Sequence, residues 1–325
     1  MALSDNTTLD GAEPPRRSRR LAVDIFRGLA VVAMVIYHSA WDLSELALIE
    51  TDIRASLSWG LFARAVAATF LVLAGIGLVL AHGRSVKRRA FLRRLAVVGA
   101  AAAAITLVTW FVFPDSYIYF GILHNIALSS LLALPFVGLP WFVTAIGAAC
   151  FLAGPLVAGP FFDAPLLAFL GLGTQIPVTN DYVPVFPWTG FVLAGVAAAW
   201  LGRPYLDRTD TGPAPGRIRR ALAAAGRHSL AIYLLHQPLI FGSLLALREV
   251  IGPSPAAEAA PFMRSCIPAC QSAGQGAETC RASCACTVEE LKRDGLWTAV
   301  LAGRPNAEES SRASALARVC QKRNP

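Results

Sequence analysis

The chain has 325 residues, 55% of them hydrophobic and only 15% charged, with a mean hydropathy of +0.53. That is too apolar for an ordinary soluble domain and puts the chain among polytopic membrane proteins. The net charge of +8 does not argue for nucleic-acid binding, because the basic residues gather at the N-terminus and in alternate loops.

In chain order, residues 1–20 are polar and Pro-containing, and predict a disordered cytoplasmic N-terminus. A bilayer crossing needs roughly 17–25 mostly apolar residues. Seven runs qualify, at about 22–41, 59–81, 95–113, 121–138, 140–160, 184–202 and 228–247. They predict an all-α bundle of about seven transmembrane helices over residues 21–250. An eighth run, 164–173, is too short to span and reads as re-entrant or interfacial, and 209–216 reads as a cytoplasmic loop. The first run is interrupted by Asp24, Arg27 and His38 and is followed by no A-x-A-type cleavage site, so it reads as a retained helix rather than a signal peptide. Residues 251–261 read as a linker, and 262–325 as a Cys-rich helical domain.

Charge orients the bundle. Arg16, Arg17, Arg19 and Arg20 precede the first run; Arg84, Lys87, Arg88, Arg89, Arg93 and Arg94 follow the second; Arg203, Arg208, Arg217, Arg219, Arg220 and Arg227 precede the last. The intervening loops hold Asp42, Glu45, Glu50, Asp52, Asp115, Asp163 and Asp181, with Arg54 their clear basic residue. Lys and Arg mark the cytoplasmic side, so the N-terminus is inside and seven crossings put the C-terminus outside. The cysteines agree. Cys150 lies in a membrane run, and Cys266, Cys270, Cys280, Cys284, Cys286 and Cys320 all lie in the tail, where disulfides need an oxidising compartment. That setting is the periplasmic side of a bacterial inner membrane.

Within the tail, Cys266/Cys270 and Cys280/Cys284 are Cys-x3-Cys pairs, each putting two sulfurs on one helix face. The spacing predicts a helical hairpin closed by Cys266–Cys284 and Cys270–Cys280, with Cys286–Cys320 tying on the stretch 287–301. Six cysteines allow about 15 connectivities, and zinc is a second use for the sulfurs. No His lies in the tail and the spacing is not that of a zinc ribbon, so no metal is expected. A stapled cap without chemistry is the plainest reading of the tail.

Arg27 and His38 share one helix face, roughly 16 Å apart at about 1.5 Å per residue, with Asp24 and Asp42 extending the stripe. A charge in lipid costs about 2.5–3.5 kcal/mol even on lenient scales, so this stripe needs partners, water or a job. His38 falls in the outer half of the membrane, where Asp42 one turn on can fix its tautomer and leave the other nitrogen as base or nucleophile. Arg27 falls in the inner half and suits phosphate, or a salt bridge with Asp24. His124, Asn125 and Arg64 come to a similar outer depth and read as an acceptor site or an internal polar network. His236 lies near mid-membrane beside the kinking Pro238. Arg88, Arg89, Arg93 and Arg94, with Lys87, read either as a positive-inside anchor or as a grip on an anionic cofactor. Asp181 and Tyr182 combine a carboxylate and an aromatic ring at a membrane edge, which suits interface anchoring or a sugar ring.

The run Val23-Asp-Ile-Phe-Arg-Gly-Leu-Ala-Val-Val-Ala-Met-Val-Ile-Tyr-His38 resembles the start of the heparan-α-glucosaminide N-acetyltransferase catalytic-domain family. It also resembles the Arg-x10-His signature of the wider acyltransferase-3 group. Ala68-Thr-Phe-Leu-Val-Leu-Ala-Gly75, Phe120-Gly-Ile-Leu-His124, Phe186-Pro-Trp-Thr-Gly190 and Leu230-Ala-Ile-Tyr-Leu-Leu-His-Gln-Pro238 extend the resemblance in family order. The resemblance implies acyl transfer from cytoplasmic acetyl-CoA or another acyl-CoA to an extracytoplasmic sugar amine or hydroxyl. His38 matches the signature histidine and Arg27 the signature arginine. On that reading His38, Asp42 and His124 are catalytic, and Arg27, Arg88, Arg89, Arg93 and Arg94 hold the CoA phosphates. Arg64, Asn125, Asp181, Tyr182 and His236 then face the acceptor. The tail lies outside the resemblance. Two other classes fit the composition: a proton-coupled transporter using His38, His124 and His236 as a relay, and a non-enzymatic assembly protein working through its Cys-rich tail.

Overall fold

The computed structural model describes residues 18–83, 85–203 and 216–323. Most of the N-terminal tail, Arg84 and nearly all of the 209–216 loop therefore lie outside the described residues. Among those described the fold is all-α, and its extended pairing is the single bridge Phe120–Tyr182. The helices are α1 (Ser18–Glu45), α2 (Leu57–His82), α3 (Arg88–Val112), α4 (Ile122–Ala133), α5 (Trp141–Ala153), α6 (Val185–Leu201), α7 (Arg217–Arg227), α8 (Ser229–Ile251), α9 (Pro255–Ser272), α10 (Ala277–Arg293), α11 (Trp297–Leu301) and α12 (Ala307–Arg323).

Each of the seven apolar runs folds as a helix, but not as seven equal spans. α1, α2, α3 and α8 are long and apolar enough to cross a membrane, while Ile122–Gly138, Trp141–Val157 and Val185–Leu201 are shorter apolar helices. At about 1.5 Å per residue a 17-residue helix covers about 25 Å, short of a hydrocarbon core of about 30 Å. Proline sets the shorter lengths. Pro135 and Pro155 fall where α4 and α5 tighten into 3-10 turns, and Pro140 is the N-cap of α5. Proline lacks the N–H and its ring collides with the preceding turn. The stretch 164–173 contains only the short 3-10 helix Pro165–Leu170. The stretch 251–261, read as a linker, already contains the start of α9.

The chain divides into two compact units, Met1–Tyr37 with Ser58–Pro238, and His38–Leu57 with Leu239–Pro325. In the first, the core gathers Leu71 and Leu78 of α2, Phe91 of α3, Ile122 of α4 and Val192, Leu193 and Val196 of α6. Two glycines let α2 and α6 touch backbone to backbone. A Cβ on Gly75 would run into the Val192 carbonyl, and one on Gly195 into the Val72 carbonyl, the small-residue crossing common between membrane helices. Large apolar side chains face outward, among them Phe26 (59% exposed), Leu107 (61%) and Phe111 (76%). Water would not tolerate so much contiguous apolar surface, whereas lipid does.

In the second unit, Ser254 caps α9 through its Oγ and Pro255 takes the first helical position. Gly274, at φ +92°, turns the chain between α9 and α10. Disulfides join Cys266–Cys284, Cys270–Cys280 and Cys286–Cys320. The apolar cluster beneath them is small, built on Val288, Leu291, Leu296 and Trp297, so covalent staples supply stability that so small a core cannot.

The α2–α6 crossing predicts that Gly75→Ala lowers the melting temperature, overpacking of this kind costing about 1–3 kcal/mol. Gly99→Ala, on a face of α3 with nothing within 4 Å, serves as a control that leaves it unchanged or raises it. Equal melting temperatures for the two variants would contradict the close crossing.

Candidate functional site

The first unit holds an open pocket of about 1260 Å³, larger than the roughly 300–1,000 Å³ of common small-molecule sites. One part of its lining is basic: Arg27 of α1, Lys87 just before α3, Arg88, Arg89, Arg93 and Arg94 of α3, and Arg227 ending α7. The rest is largely apolar, from Phe70 and Ala74 of α2, Val97 and Val98 of α3, Ile122, Leu123 and Ile126 of α4, and Leu230 and Tyr233 of α8. Among the described residues no carboxylate lines the space.

The local sequence explains the arrangement. The α3 start, Arg-Arg-Ala-Phe-Leu-Arg-Arg, repeats arginine at a four- and five-residue spacing, so one helix face carries several. Its apolar Phe91 is turned instead into the core. Arg27 and Arg94 converge over Gly77, each bringing a guanidinium nitrogen to 3.6 Å from where a glycine Cβ would stand. Asp24 partly balances Arg27 at 3.6 Å and reaches Arg227 at 4.0 Å. The remaining cations outnumber it. Like charges crowded together repel, and the arrangement suits a multiply charged anion.

The α4 start next to the cavity wall is held by a polar clasp. The Asp181 carboxylate accepts the Ile122 N–H at 2.9 Å, and the Val183 N–H donates to the Phe120 carbonyl at 3.1 Å. His124 Nδ1 accepts the Gly121 N–H at 3.2 Å, while its Nε2 lies 3.2 Å from Thr106 Oγ1. The Thr106 hydroxyl has one proton and gives it to the Ile118 carbonyl at 2.6 Å. Nε2 must therefore be the donor to Thr106, which fixes the neutral Nε2–H tautomer and engages both ring nitrogens. Asn125, fully buried, donates to the Pro184 carbonyl at 2.9 Å and accepts from Ser129 at 2.8 Å, and Thr189 completes the chain at 2.7 Å from Ser129. The Tyr182 hydroxyl donates to the Ala168 carbonyl at 2.8 Å. Asn125 and Asp181 thus join α4 to the segment before α6, while His124 ties the start of α4 to Thr106 of α3 and Tyr182 ties that segment to the short helix Pro165–Leu170.

The structure brings together Arg27, Arg88, Arg89, Arg93 and Arg94 around one space, and places Arg64 on an exposed face of α2 away from it. His236 is buried, its Nδ1 donating to the Tyr233 carbonyl at 2.8 Å. His38 and Asp42 belong to the second unit, His38 half-buried and Asp42 fully buried. Arg227 as a cavity residue and the apolar wall were not singled out by sequence. Arg227 reads as one more cytoplasmic-loop cation, and Ile122, Leu123 and Leu230 look like any core residue. Among the described residues no group of three or more His, Cys, Asp or Glu side chains is placed to hold a metal.

Burial pushes the Asp181 carboxyl up to about 6, against the opposing pull of the Ile122 N–H. A carboxyl with a raised folded-state pKa is relatively more stable protonated, so its contribution is full at low pH and is lost as pH climbs through about 6. Asp181→Asn keeps an acceptor for Ile122 and removes the titration. Unfolding measured across pH should show wild type gaining stability relative to this variant as pH falls from 7 towards 4. A constant difference between them would contradict the buried-carboxyl reading.

Compared with known proteins, the chain matches no curated protein and no solved structure. It matches the family model for heparan-alpha-glucosaminide N-acetyltransferase, catalytic, over residues 19–238. That stretch runs from the start of α1 to Pro238 in α8, and takes in every residue lining the basic cavity. The chain therefore belongs to the heparan-alpha-glucosaminide N-acetyltransferase catalytic family, a family of membrane acetyltransferases.

Proposed function

We propose that this membrane acetyltransferase takes its acyl group from acetyl-CoA, or a close acyl-CoA, on the cytoplasmic side and passes it to a sugar amine or hydroxyl outside. The observation that carries this reading is the pocket whose described lining holds seven cations and no carboxylate, Arg27 and Arg94 converging over Gly77. CoA carries its charge on phosphates at one end and an uncharged pantetheine arm at the other. The basic lining suits the first and the apolar lining the second. Arg27, Arg88, Arg89, Arg93 and Arg94 hold the phosphates, joined by Lys87 and Arg227.

On α1, His38 stands eleven positions beyond Arg27, about 16 Å along the axis. His38 acts as general base, with Asp42 one turn on orienting it. It takes the proton from the acceptor N–H or O–H as that atom attacks the thioester carbonyl. The new C–N or C–O bond forms, the C–S bond breaks, and the CoA sulfur leaves and is reprotonated. Direct acylation of His38 followed by transfer is the other course open to the same residue. Arg64 and His236 are assigned to the acceptor side, with His124, Asn125, Asp181 and Tyr182 shaping it through the bonds that hold α4 and the segment before α6 in place.

Purified protein in lipid nanodiscs should consume acetyl-CoA when given an amino sugar. His38→Ala should lower kcat by about 10²–10⁴, the usual worth of a positioned base, and undiminished turnover would remove His38 from the chemistry. Arg94→Gln should raise the KM for acetyl-CoA about tenfold or more, a hydrogen bond to a charged group being worth about 1.5–3 kcal/mol. A KM equal to wild type would argue against phosphate contact there.

A further inference from the structure

The family match ends at Pro238, so it gives the cystine-bearing tail no role. The tail is not an appendage hung from the chain by a linker. It folds as one compact unit with His38–Leu57, the segment holding the last two turns of α1 and the turn into α2. We propose that the disulfide-stapled C-terminal helices are the scaffold that positions the His38–Asp42 end of α1, so that acyl transfer depends on the tail's disulfides. The inference rests on the reading of His38 as the reacting base.

A chain of contacts carries it. Helix ends fray unless something holds them, because their last carbonyls have no partner within the helix. Here the end of α1 is closed by Leu46 N–H to the Asp42 carbonyl at 2.9 Å and Leu48 N–H to the Leu43 carbonyl at 2.8 Å. Arg54, further along the turn, folds back over the Trp41 ring at 5.1 Å and pairs with Glu45 at 3.3 Å. Between them Leu46 and Ile53 are buried, at 5% and 2% exposure. The turn is then clamped from the tail at two points. The Ser254 N–H donates to the Ala47 carbonyl at 2.9 Å, and Arg264 of α9 pairs with Asp52 at 3.0 Å. Arg264 stands two residues before Cys266, which is bonded to Cys284 of α10, and Lys292 of α10 pairs with Glu258 of α9 at 2.6 Å.

Magnitudes decide which part of this matters. Arg264 and Asp52 are both partly exposed, and such a pair is worth about 0–1 kcal/mol. Alone it would hold nothing. It works because Arg264 is presented by a stapled body, three disulfides joining α9, α10 and α12 around the apolar cluster of Val288, Leu291, Leu296 and Trp297. The staples make α9 stiff, and α9 makes the turn and the helix end stiff.

The test uses full-length protein in nanodiscs, comparing wild type with Cys266→Ser/Cys284→Ser. Three quantities are measured: kcat with acetyl-CoA and an amino sugar, the Kd for CoA, and hydrogen exchange over residues 38–57. The scaffold role predicts that kcat falls about tenfold or more, because a loosened helix end no longer holds His38 in its productive geometry. CoA affinity should stay within about twofold and the 38–57 amides should lose protection. Unchanged kcat, or unchanged protection over 38–57, would overturn it. Charge reversal covers the case in which the double variant does not fold. Asp52→Arg and Arg264→Asp should each lower kcat about two- to fivefold, and the two together should restore it. Failure of the pair to rescue would count against the proposal. If wild type shows no acetyl-CoA turnover, the acyl-transfer reading falls, while the exchange measurement still decides whether the tail holds this helix end.

Discussion

The structure of the first unit turns on an imbalance of charge. Arg27 and Arg94 face each other across Gly77 with Asp24 as their nearby counter-charge, and five further cations share the same space. A guanidinium within a membrane span is expensive, and two brought together repel as well. A chain keeps such a group where an anion repays it. The helices around it are arranged to make that space: α1 brings Arg27, α3 brings four arginines at its first two turns, and α7 brings Arg227.

Close backbone packing makes the placement possible. Gly28 lies against the Leu222 carbonyl and Gly226 against the Asp24 carbonyl, so α7 can lie directly on α1 and put Arg227 within reach of Asp24. Gly75 and Gly195 do the same for α2 and α6. The carboxylate of Asp181 and the ring of His124 cap the start of α4, and the next residues, Ile122 and Leu123, form part of the apolar wall. Polar residues that stand out in the sequence therefore divide into those that face the cavity and those that hold its walls. The second unit follows another logic, with a minimal core and covalent bonds supplying rigidity.

Much of this was legible before any coordinates. Composition identified a helical membrane protein, and the apolar runs located the helices, because lipid leaves the backbone few ways to satisfy itself. The basic cluster at 88–94 reads as a positive-inside anchor or a phosphate grip, and Arg27 as a phosphate contact or a partner of Asp24, because spacing does not say whether the cations share one space. The lengths of the shorter helices were less legible, since hydropathy does not register that Pro135, Pro140 and Pro155 break the helical ladder. Nor did sequence distinguish what His124, Asn125 and Asp181 bond to. Spacing places a side chain at a depth, but its partners can come from distant segments, 59 residues away for Asn125 with Pro184 and Asp181 with Ile122, and 18 for His124 with Thr106. The union of 38–57 with the tail was invisible for the same reason: Asp52 and Arg264 carry no local signal of each other.

The central claim is that the basic cavity binds the phosphates of a CoA donor. It is tested most directly by the affinity of the purified protein for CoA, 3′-dephospho-CoA and pantetheine, measured by calorimetry at two salt concentrations. The account predicts that affinity falls in that order, with pantetheine weaker than CoA by at least about a hundredfold, as expected when charge-assisted bonds worth about 1.5–3 kcal/mol each are lost. The difference should narrow as salt rises. Equal affinity for CoA and pantetheine, or binding of CoA that is indifferent to salt, would contradict it.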